Sequence, residues 1–571
     1  MNIGEQANFI WSIADLLRGD FKQSEYGKVI LPFTVLRRFD CILSPSKEKI
    51  LEMNKSLTVS NKTPIFKKHT GHDYYNVSKF DFEKLIDDST SIDTNLRDYI
   101  NGFSDDVKEI LDNFEIFTII EKLKKAGLLY LVVQKFVEID LGAGTVDNLE
   151  MGYMFEELIR KFSEQSNETA GEHFTPREVI ELMVEILLDP DLGDISTTDG
   201  KVITILDPAC GTGGMLSVAQ NKINAMNSKT KVIPFGQELN PETFATCKSD
   251  MILKNNTGSK IVLGNSFNED GFRAQTFDYM LSNPPFGVEW KKVEKFVKDE
   301  AKNEGYAGRF GAGTPRISDG SLLFLQHMIS KMTPPDKGGS RIAIVFNGSP
   351  LFTGDAGGGE SEIRKWIIEN DLLEAIIGLP DRLFYNTGIS TYVWIITNKK
   401  KERRKGKIRL VNGIFFYEKM RKSLGNKRNE INEKNRKKIV SLYSEFTLNE
   451  NYIDFDNDDF GYRKITVERP LYDKDGKVVV DKKGKKKADT SLRDTETIPL
   501  KEDIHEYFRR EVLPHVPDAW IDESKTKIGY EIPFTRHFYK FTHLRSSEKI
   551  MIEVKELEEK IAKNLLEVLE R

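Results

Sequence analysis

Asn283-Pro284-Pro285-Phe286, followed by Gly287, puts hydrogen-bond acceptors and an aromatic ring on a stiff turn. Two prolines cannot continue a central strand. The run Phe277 to Ser282 therefore reads as a strand that ends by delivering this turn. These residue types suit chemistry on an amino group attached to an aromatic ring, such as N6 of adenine. The lone pair of that nitrogen is delocalised into the ring, so it is a poor nucleophile. Two acceptors aimed at its hydrogens favour the sp³ form that carries charge in the transition state. The Asn283 side-chain oxygen and the Pro284 carbonyl are the candidate acceptors. Pro285 adds no donor, and Phe286 is a ring on which a base swung out of a duplex can stack. No strong general base is needed, because a proton can leave after the transfer.

A second constellation lies upstream. Val202 to Leu206 reads as a buried strand entering Asp207-Pro208-Ala209-Cys210-Gly211-Thr212-Gly213-Gly214, and Met215 to Met226 can form the next helix. Glycines are needed where the backbone takes positive φ or lets a ligand approach closely. The carboxyl edge of a parallel sheet is where α/β folds bind ligands. The spacing is not GxGxxG and no P-loop lysine follows, which argues against a dinucleotide or a nucleoside triphosphate. Asp207 suits the ammonium of a methionine moiety. Glu238, closing the next apparent strand, can accept from both hydroxyls of a ribose. Together these residues point to S-adenosylmethionine.

The third block is Glu172-His173-Phe174-Thr175-Pro176-Arg177. Thr175 as N-cap, Pro176 at the first helical position and Glu178 make a capping box for a helix with Val179, Leu182, Met183 and Ile186 on one face. The same block is expected to line the cofactor pocket. His173 has no metal-ligating companion, and no metal site is expected.

Elements of two kinds must hold these residues. Residues 1–145 read as a helical N-terminal domain, with apolar positions at helical spacing over Ala7 to Leu17, Val29 to Leu43, Phe114 to Lys125 and Leu128 to Phe136. Residues 146–400 alternate short apolar runs with amphipathic stretches, the pattern of a parallel-rich α/β sheet. The strand candidates are Val202–Leu206, Val232–Phe235, Tyr279–Leu281, Ile342–Phe346, Leu373–Leu379 and Tyr392–Thr397. Residues 401–571 form a C-terminal extension, expected to be mainly helical. The basic stretch Lys399 to Arg409 reads as a solvated linker or strand flank, with a phosphate-contacting strip as the alternative, and residues 415–445 read as a basic helix. A turn at Asp473 to Gly476 leads into Val478-Val479-Val480, and Lys482 to Lys487 reads as an exposed loop. From Arg545 to Arg571 the chain is an amphipathic helix with Val554, Leu557, Ile561, Leu565 and Val568 on one stripe. That stripe must pack on this chain or on another.

Composition narrows the setting. Over 571 residues, 39% are hydrophobic and 30% charged, with a net charge of −5. This is an ordinary soluble composition. No apolar run is long enough to cross a membrane, and the N-terminus lacks the marks of a signal peptide. Cys41, Cys210 and Cys247 match neither a disulfide framework nor a zinc spacing. A cytoplasmic protein is expected. A chain that holds DNA unaided is usually more basic, so this one needs a local basic surface or a partner that supplies one.

With these blocks in hand, the chain resembles the modification subunit of type I restriction-modification systems over nearly its full length. The segments Leu373 to Pro380, Leu383 to Ile389 and Ile528 to Phe534 add to the likeness. The resemblance implies a class I S-adenosylmethionine-dependent methyltransferase core with a Rossmann-like mixed sheet, acting on adenine N6 in double-stranded DNA. It also implies C-terminal helices packed on a separate specificity subunit, two modification subunits per specificity subunit, and a restriction subunit in the full complex. One departure is Gly264-Asn265-Ser266, where such enzymes often carry an acidic residue on the cofactor's adenine; Asn265 is the candidate for that contact. Methyltransferases acting on protein glutamine or RNA bases share the acceptor problem, but the N-terminal domain, the capped helix and the long extension speak against them. A non-catalytic scaffold of the same fold is the remaining alternative, opposed by intact Asn283, Phe286 and Asp207.

Overall fold

The computed structural model describes residues 3–166, 175–254, 258–385, 387–482, 484–539 and 546–569. The N-terminal third is helical, from Ile3–Leu17 and Tyr26–Leu43 through Ile116–Lys125 and Leu129–Val137 to the long helix Asn148–Ser166. Its core gathers the apolar faces read from the sequence, including Ile10, Ile13, Leu17, Phe33, Leu36 and Phe39. Ala245 and Leu253 of the helix Pro241–Leu253 join that core, so the helical part packs against the sheet-bearing part. Fully buried Arg38 helps bind the junction. Its guanidinium donates to the carbonyls of Leu141 and Val146 and, at 2.8 Å, to Asn148 Oδ1.

The centre is a nine-stranded sheet built from β1 (Val202–Asp207), β2 (Lys231–Glu238), β3 (Lys260–Leu263), β4 (Tyr279–Ser282), β5 (Arg341–Phe346), β6 (Leu373–Gly378), β7 (Tyr392–Thr397), β8 (Lys407–Asn412) and β11 (Tyr452–Asp456). Their order is β11-β8-β6-β7-β5-β4-β1-β2-β3. All six strands expected from apolar runs are present. β4 to β7 are buried along their whole length, as strands covered on both faces must be. β7 runs antiparallel to both β5 and β6, and β11 antiparallel to β8; the other neighbours are parallel. The carboxyl ends of β1, β2, β4, β6 and β8 therefore lie along one edge.

The sheet continues past residue 400, and there the structure differs from the mainly helical extension expected. β8 and β11 extend the central sheet. β9 (Glu418–Leu424) and β10 (Lys427–Glu430) form a hairpin, so the helix expected over 415–445 is confined to Glu433–Ser444. β12 (Gly461–Glu468), β13 (Asp494–Pro499), β14 (Trp520–Ile521) and β15 (Lys527–Tyr530) make a second sheet. The helical reading failed because charged, half-exposed strands carry no apolar run and only a weak alternation.

The basic stretch Lys399 to Arg409 is a strand flank, running from the end of β7 into β8, and part of it is buried. Buried Lys400 pairs with Asp371 at 2.5 Å, Arg404 stacks on the Tyr443 ring at 4.6 Å, and buried Arg409 pairs with Asp454 at 2.7 Å. Beside them, Arg341 on β5 donates to Glu374 on β6 (2.5 Å) and to the Tyr443 hydroxyl (2.6 Å), which itself donates to Glu374 at 2.8 Å. The Asp473 to Gly476 turn is present, and the described residues of Lys482 to Lys487 are exposed.

Residues from Pro533 onward form a separate compact unit. Its helix Ser547–Leu569 leaves Val554, Leu557, Ile561 and Leu565 exposed. The side chain of Val568 lies outside the described residues. No described helix is long and apolar enough to cross a membrane.

Candidate active site

The turn after β1 and the turn after β4 meet at the carboxyl edge of the sheet around a cleft of about 330 Å³. Asp207 ends β1 with its side chain buried. Its Oδ1 accepts from the Ala209 amide and from the Ser282 hydroxyl, each at 3.0 Å. Burial pushes its carboxyl up to about 7 despite those two donors. Gly211 and Gly213 take φ of 54° and 84°. A Cβ on Gly213 would stand 2.7 Å from Cys247 Sγ, so glycine is required there for both conformation and room. Cys210 and Cys247 bring their sulfurs to 3.9 Å beneath this loop.

Glu238 ends β2 and ties the next turn to the first. Its Oε2 accepts from the Gly211 amide (2.9 Å) and its Oε1 from the Asn240 amide (2.8 Å). A carboxylate has about four acceptor sites, so both oxygens keep capacity toward a ligand. Asn265 follows β3 at the same edge. Its Oδ1 accepts from the Phe267 amide at 2.9 Å, an Asx turn that fixes the loop. Ser266 Oγ donates to the Pro208 carbonyl at 2.6 Å.

Asn283 stands opposite. Its Nδ2 donates to Thr175 Oγ1 at 2.9 Å, while its Oδ1 is buried without a hydrogen-bond partner among the described residues. An unpaired buried acceptor costs about 1–3 kcal/mol. Such a group at a cleft is a place where a ligand donor completes the structure. Thr175 is therefore not the helix cap that its spacing suggests. The helix runs Arg177–Leu188 with Pro176 at its cap, no side chain caps it, and Glu178 pairs with Lys427. The hydroxyl is withdrawn from the helix to grip the amide of Asn283.

The cleft brings together Thr175, Asp207 to Thr212, Gly214, Glu238, Asn265, Asn283 and Pro285. Pro284 is buried, and Phe286 is half-buried against the apolar core; neither lines the cleft. Arg177 sits in a neighbouring crevice with its guanidinium 4.0 Å from the Tyr153 ring. Glu172, His173 and Phe174 lie outside the described residues. Among the described residues, no group of three His, Cys, Asp or Glu could hold a metal ion.

Sequence reasoning missed the apolar wall of the cleft: Leu239, Phe267, Val288, Trp290 and Phe324. Trp290 Nε1 donates to the Arg316 carbonyl at 2.9 Å, and Phe267 lies 4.6 Å from Phe324. It also missed Arg309, whose guanidinium holds the carbonyls of Ser266 (2.9 Å) and Phe267 (2.5 Å) while paired with Glu300 at 2.6 Å. Burial, with Lys331 nearby, pushes the adjacent His327 down to about 3, so it faces Arg309 as a neutral acceptor. No spacing rule reports such contacts, because they join loops far apart in the chain.

A half-apolar cleft, a glycine turn, a buried acid and a carboxylate with spare acceptor sites fit a nucleoside carrying a charged amino-acid tail. Comparison with known proteins identifies the family. Residues 147–467 match the family described as N-6 DNA Methylase, and residues 6–136 match the HsdM N-terminal domain. The chain is 27% identical over 470 residues to the type I restriction enzyme MjaIX methylase subunit of Methanocaldococcus jannaschii, covering 78% of each. It is 28% identical over 344 residues to the HindI methylase subunit of Haemophilus influenzae, covering 58% of this chain and 68% of that one. The fold is similar to a type I restriction-modification methyltransferase subunit from Streptococcus thermophilus (TM-score 0.62, 21% identity, 80% of this chain and 96% of that one). It is also similar to a modification subunit of a putative type I restriction enzyme from Vibrio vulnificus (TM-score 0.51, 16% identity, 84% and 95%).

Proposed function

The chain belongs to the N-6 DNA Methylase family, as a DNA adenine-N6 methyltransferase of the type I methylase-subunit kind, and we propose how its cleft performs that reaction. The carrying observation is Asn283, an amide pinned by Thr175 with its oxygen buried and unpartnered. S-adenosylmethionine, when bound, supplies an electrophilic methyl group. Glu238 holds the ribose hydroxyls, Asp207 faces the ammonium, and Asn265 with the Leu239–Phe267 wall takes the adenine ring. Pro208 to Gly214 shape the turn against the methionine end, and Thr175 lines the same cleft. Asn283 Oδ1 and the Pro284 carbonyl would accept from the two hydrogens of the target amino group, localise its lone pair and stabilise the positive charge that develops on the nitrogen as it attacks the methyl carbon. Pro285 stiffens the turn and Phe286 stacks on the flipped base.

A separate specificity subunit selects the DNA site, and the exposed stripe on Ser547–Leu569 is the surface offered to it. Two copies of this chain per specificity subunit and a restriction subunit complete the assembly. The test is methyl transfer from labelled S-adenosylmethionine to double-stranded DNA, with and without the specificity partner. Label is expected in N6-methyladenine only with the partner, and is nearly abolished in Asn283→Ala. Label in cytosine or protein overturns the substrate, and full activity of the lone chain overturns the partner.

A further inference from the structure

We propose that the β9–β10 hairpin, with Arg382 beside it, grips the phosphate backbone of duplex DNA flanking the adenine presented to Asn283. The proposal rests on the reading above. It begins from a mismatch: a chain of net charge −5 must meet a polyanion, and the basic stretch Lys399 to Arg409 spends several of its cations in buried pairs. The hairpin does the opposite. Lys419, Arg421, Lys422 and Arg428 are exposed on it, and none of the four makes an ion pair among the described residues. Its acids are Glu418 and Glu430 only.

Its placement is built rather than incidental. The strands turn through Gly425-Asn426, with Gly425 at φ 56°, as a II′ hairpin requires. Three contacts weld it to the loop after β6: the amides of Asn426 and Arg428 donate to the Tyr385 and Arg382 carbonyls at 2.8 Å, and Asn429 Nδ2 to the Asp381 carbonyl at 2.9 Å. Arg382 is exposed at φ 50°, a left-handed conformation that a bulky residue holds only when its surroundings impose it. Buried Lys427 reaches across to Glu178, in the first turn of the helix that follows Thr175. The hairpin is thus tied to the element that orients Asn283.

The distance suits a duplex. β8, which leads into the hairpin, and β4, which leads into Asn283, point their carboxyl ends the same way and stand four strand positions apart. At about 4.8 Å per strand this is roughly 19 Å, or five to six base steps along a strand at about 3.4 Å each.

The test is the triple variant Lys419→Ala/Arg421→Ala/Lys422→Ala in the complex with its specificity partner. DNA binding is measured by fluorescence anisotropy from about 0.05 to 0.3 M salt. Three lost phosphate contacts lower the slope of log K against log salt by about 2.7 and weaken binding up to ~100-fold at 0.15 M. kcat at saturating DNA and the KM for S-adenosylmethionine stay unchanged. Lys419→Arg/Lys422→Arg keeps the wild-type slope. An unchanged slope in the triple variant overturns the proposal. So does loss of assembly with the specificity partner while the assembled fraction binds DNA normally, since the hairpin then serves a protein. A wild-type complex that binds DNA with the expected slope but transfers no methyl group overturns the reading of the reaction instead.

Discussion

Thr175→Val isolates the orientation of Asn283 from its chemistry. Valine keeps the volume and removes the one oxygen that receives Asn283 Nδ2. The amide loses a hydrogen bond with a net value of about 1 kcal/mol, and leaving a buried N–H unpaired costs about 1–3 kcal/mol. The amide then rotates or shifts to recover a partner, and its oxygen leaves the position offered to the target amino group. If that energy is lost from the transition state alone, kcat falls by about 5- to 150-fold. The assay is single-turnover methyl transfer at saturating DNA and S-adenosylmethionine, with both KM values measured separately. Because Thr175 also lines the cleft, a modest rise in the KM for S-adenosylmethionine is expected. Thr175→Ser, which restores the acceptor oxygen, recovers most of kcat. A Thr175→Val enzyme with wild-type kcat, beside an inactive Asn283→Ala enzyme, refutes the argument that the hydroxyl positions the amide.

Two further outcomes follow from the glycine turn. The Asp207 carboxyl sits at about 7, so it is largely neutral below that pH and ionised above it. S-adenosylmethionine affinity is then expected to rise with pH through about 7 and level off, and calorimetric titrations from pH 6 to 8.5 should find Asp207→Asn weak and flat. The same raised value means the buried carboxyl lowers folding stability as pH climbs from about 4 toward 7. A side chain on Gly213 meets Cys247 Sγ at 2.7 Å and is forced to φ 84°. Gly213→Ala therefore loses about 1–2 kcal/mol from backbone strain alone, read as a lowered thermal midpoint together with weaker cofactor binding.

The positions of the Asn283 to Phe286 turn, the glycine loop and Glu238 were legible because each sits where an apolar run stops, and a buried strand announces its own end. The sheet's six apolar strands were legible for the same reason. The cap at Thr175 misled because the residue types satisfied a local rule while the hydroxyl is used by a residue 108 positions away. The strand flank at 399–409 was legible, but the burial of Lys400, Arg404 and Arg409 was not, because charge in a sequence carries no record of burial: Arg409 is 1% exposed yet reads like any surface cation. The β9–β10 hairpin did leave a signal, Gly425-Asn426 between two charged runs, which is a hairpin turn pair outweighed by a basic composition that looked helical. Trp290, Phe267 and Arg309 left none, since their roles arise only when three loops converge.

Arg341, Glu374 and Tyr443 have a consequence for how relatives of this chain can exchange parts. Removing one member of such a buried pair costs about 3–5 kcal/mol, and here the members come from β5, β6 and the helix Glu433–Ser444. A chimera spliced at residue 400 divides this triad between two parents, and also separates β8 and β11 from the sheet they complete. Recombinants joined between Asp456 and Gly461 inherit the central sheet from one parent, and crossovers that preserve folding should collect there or further downstream.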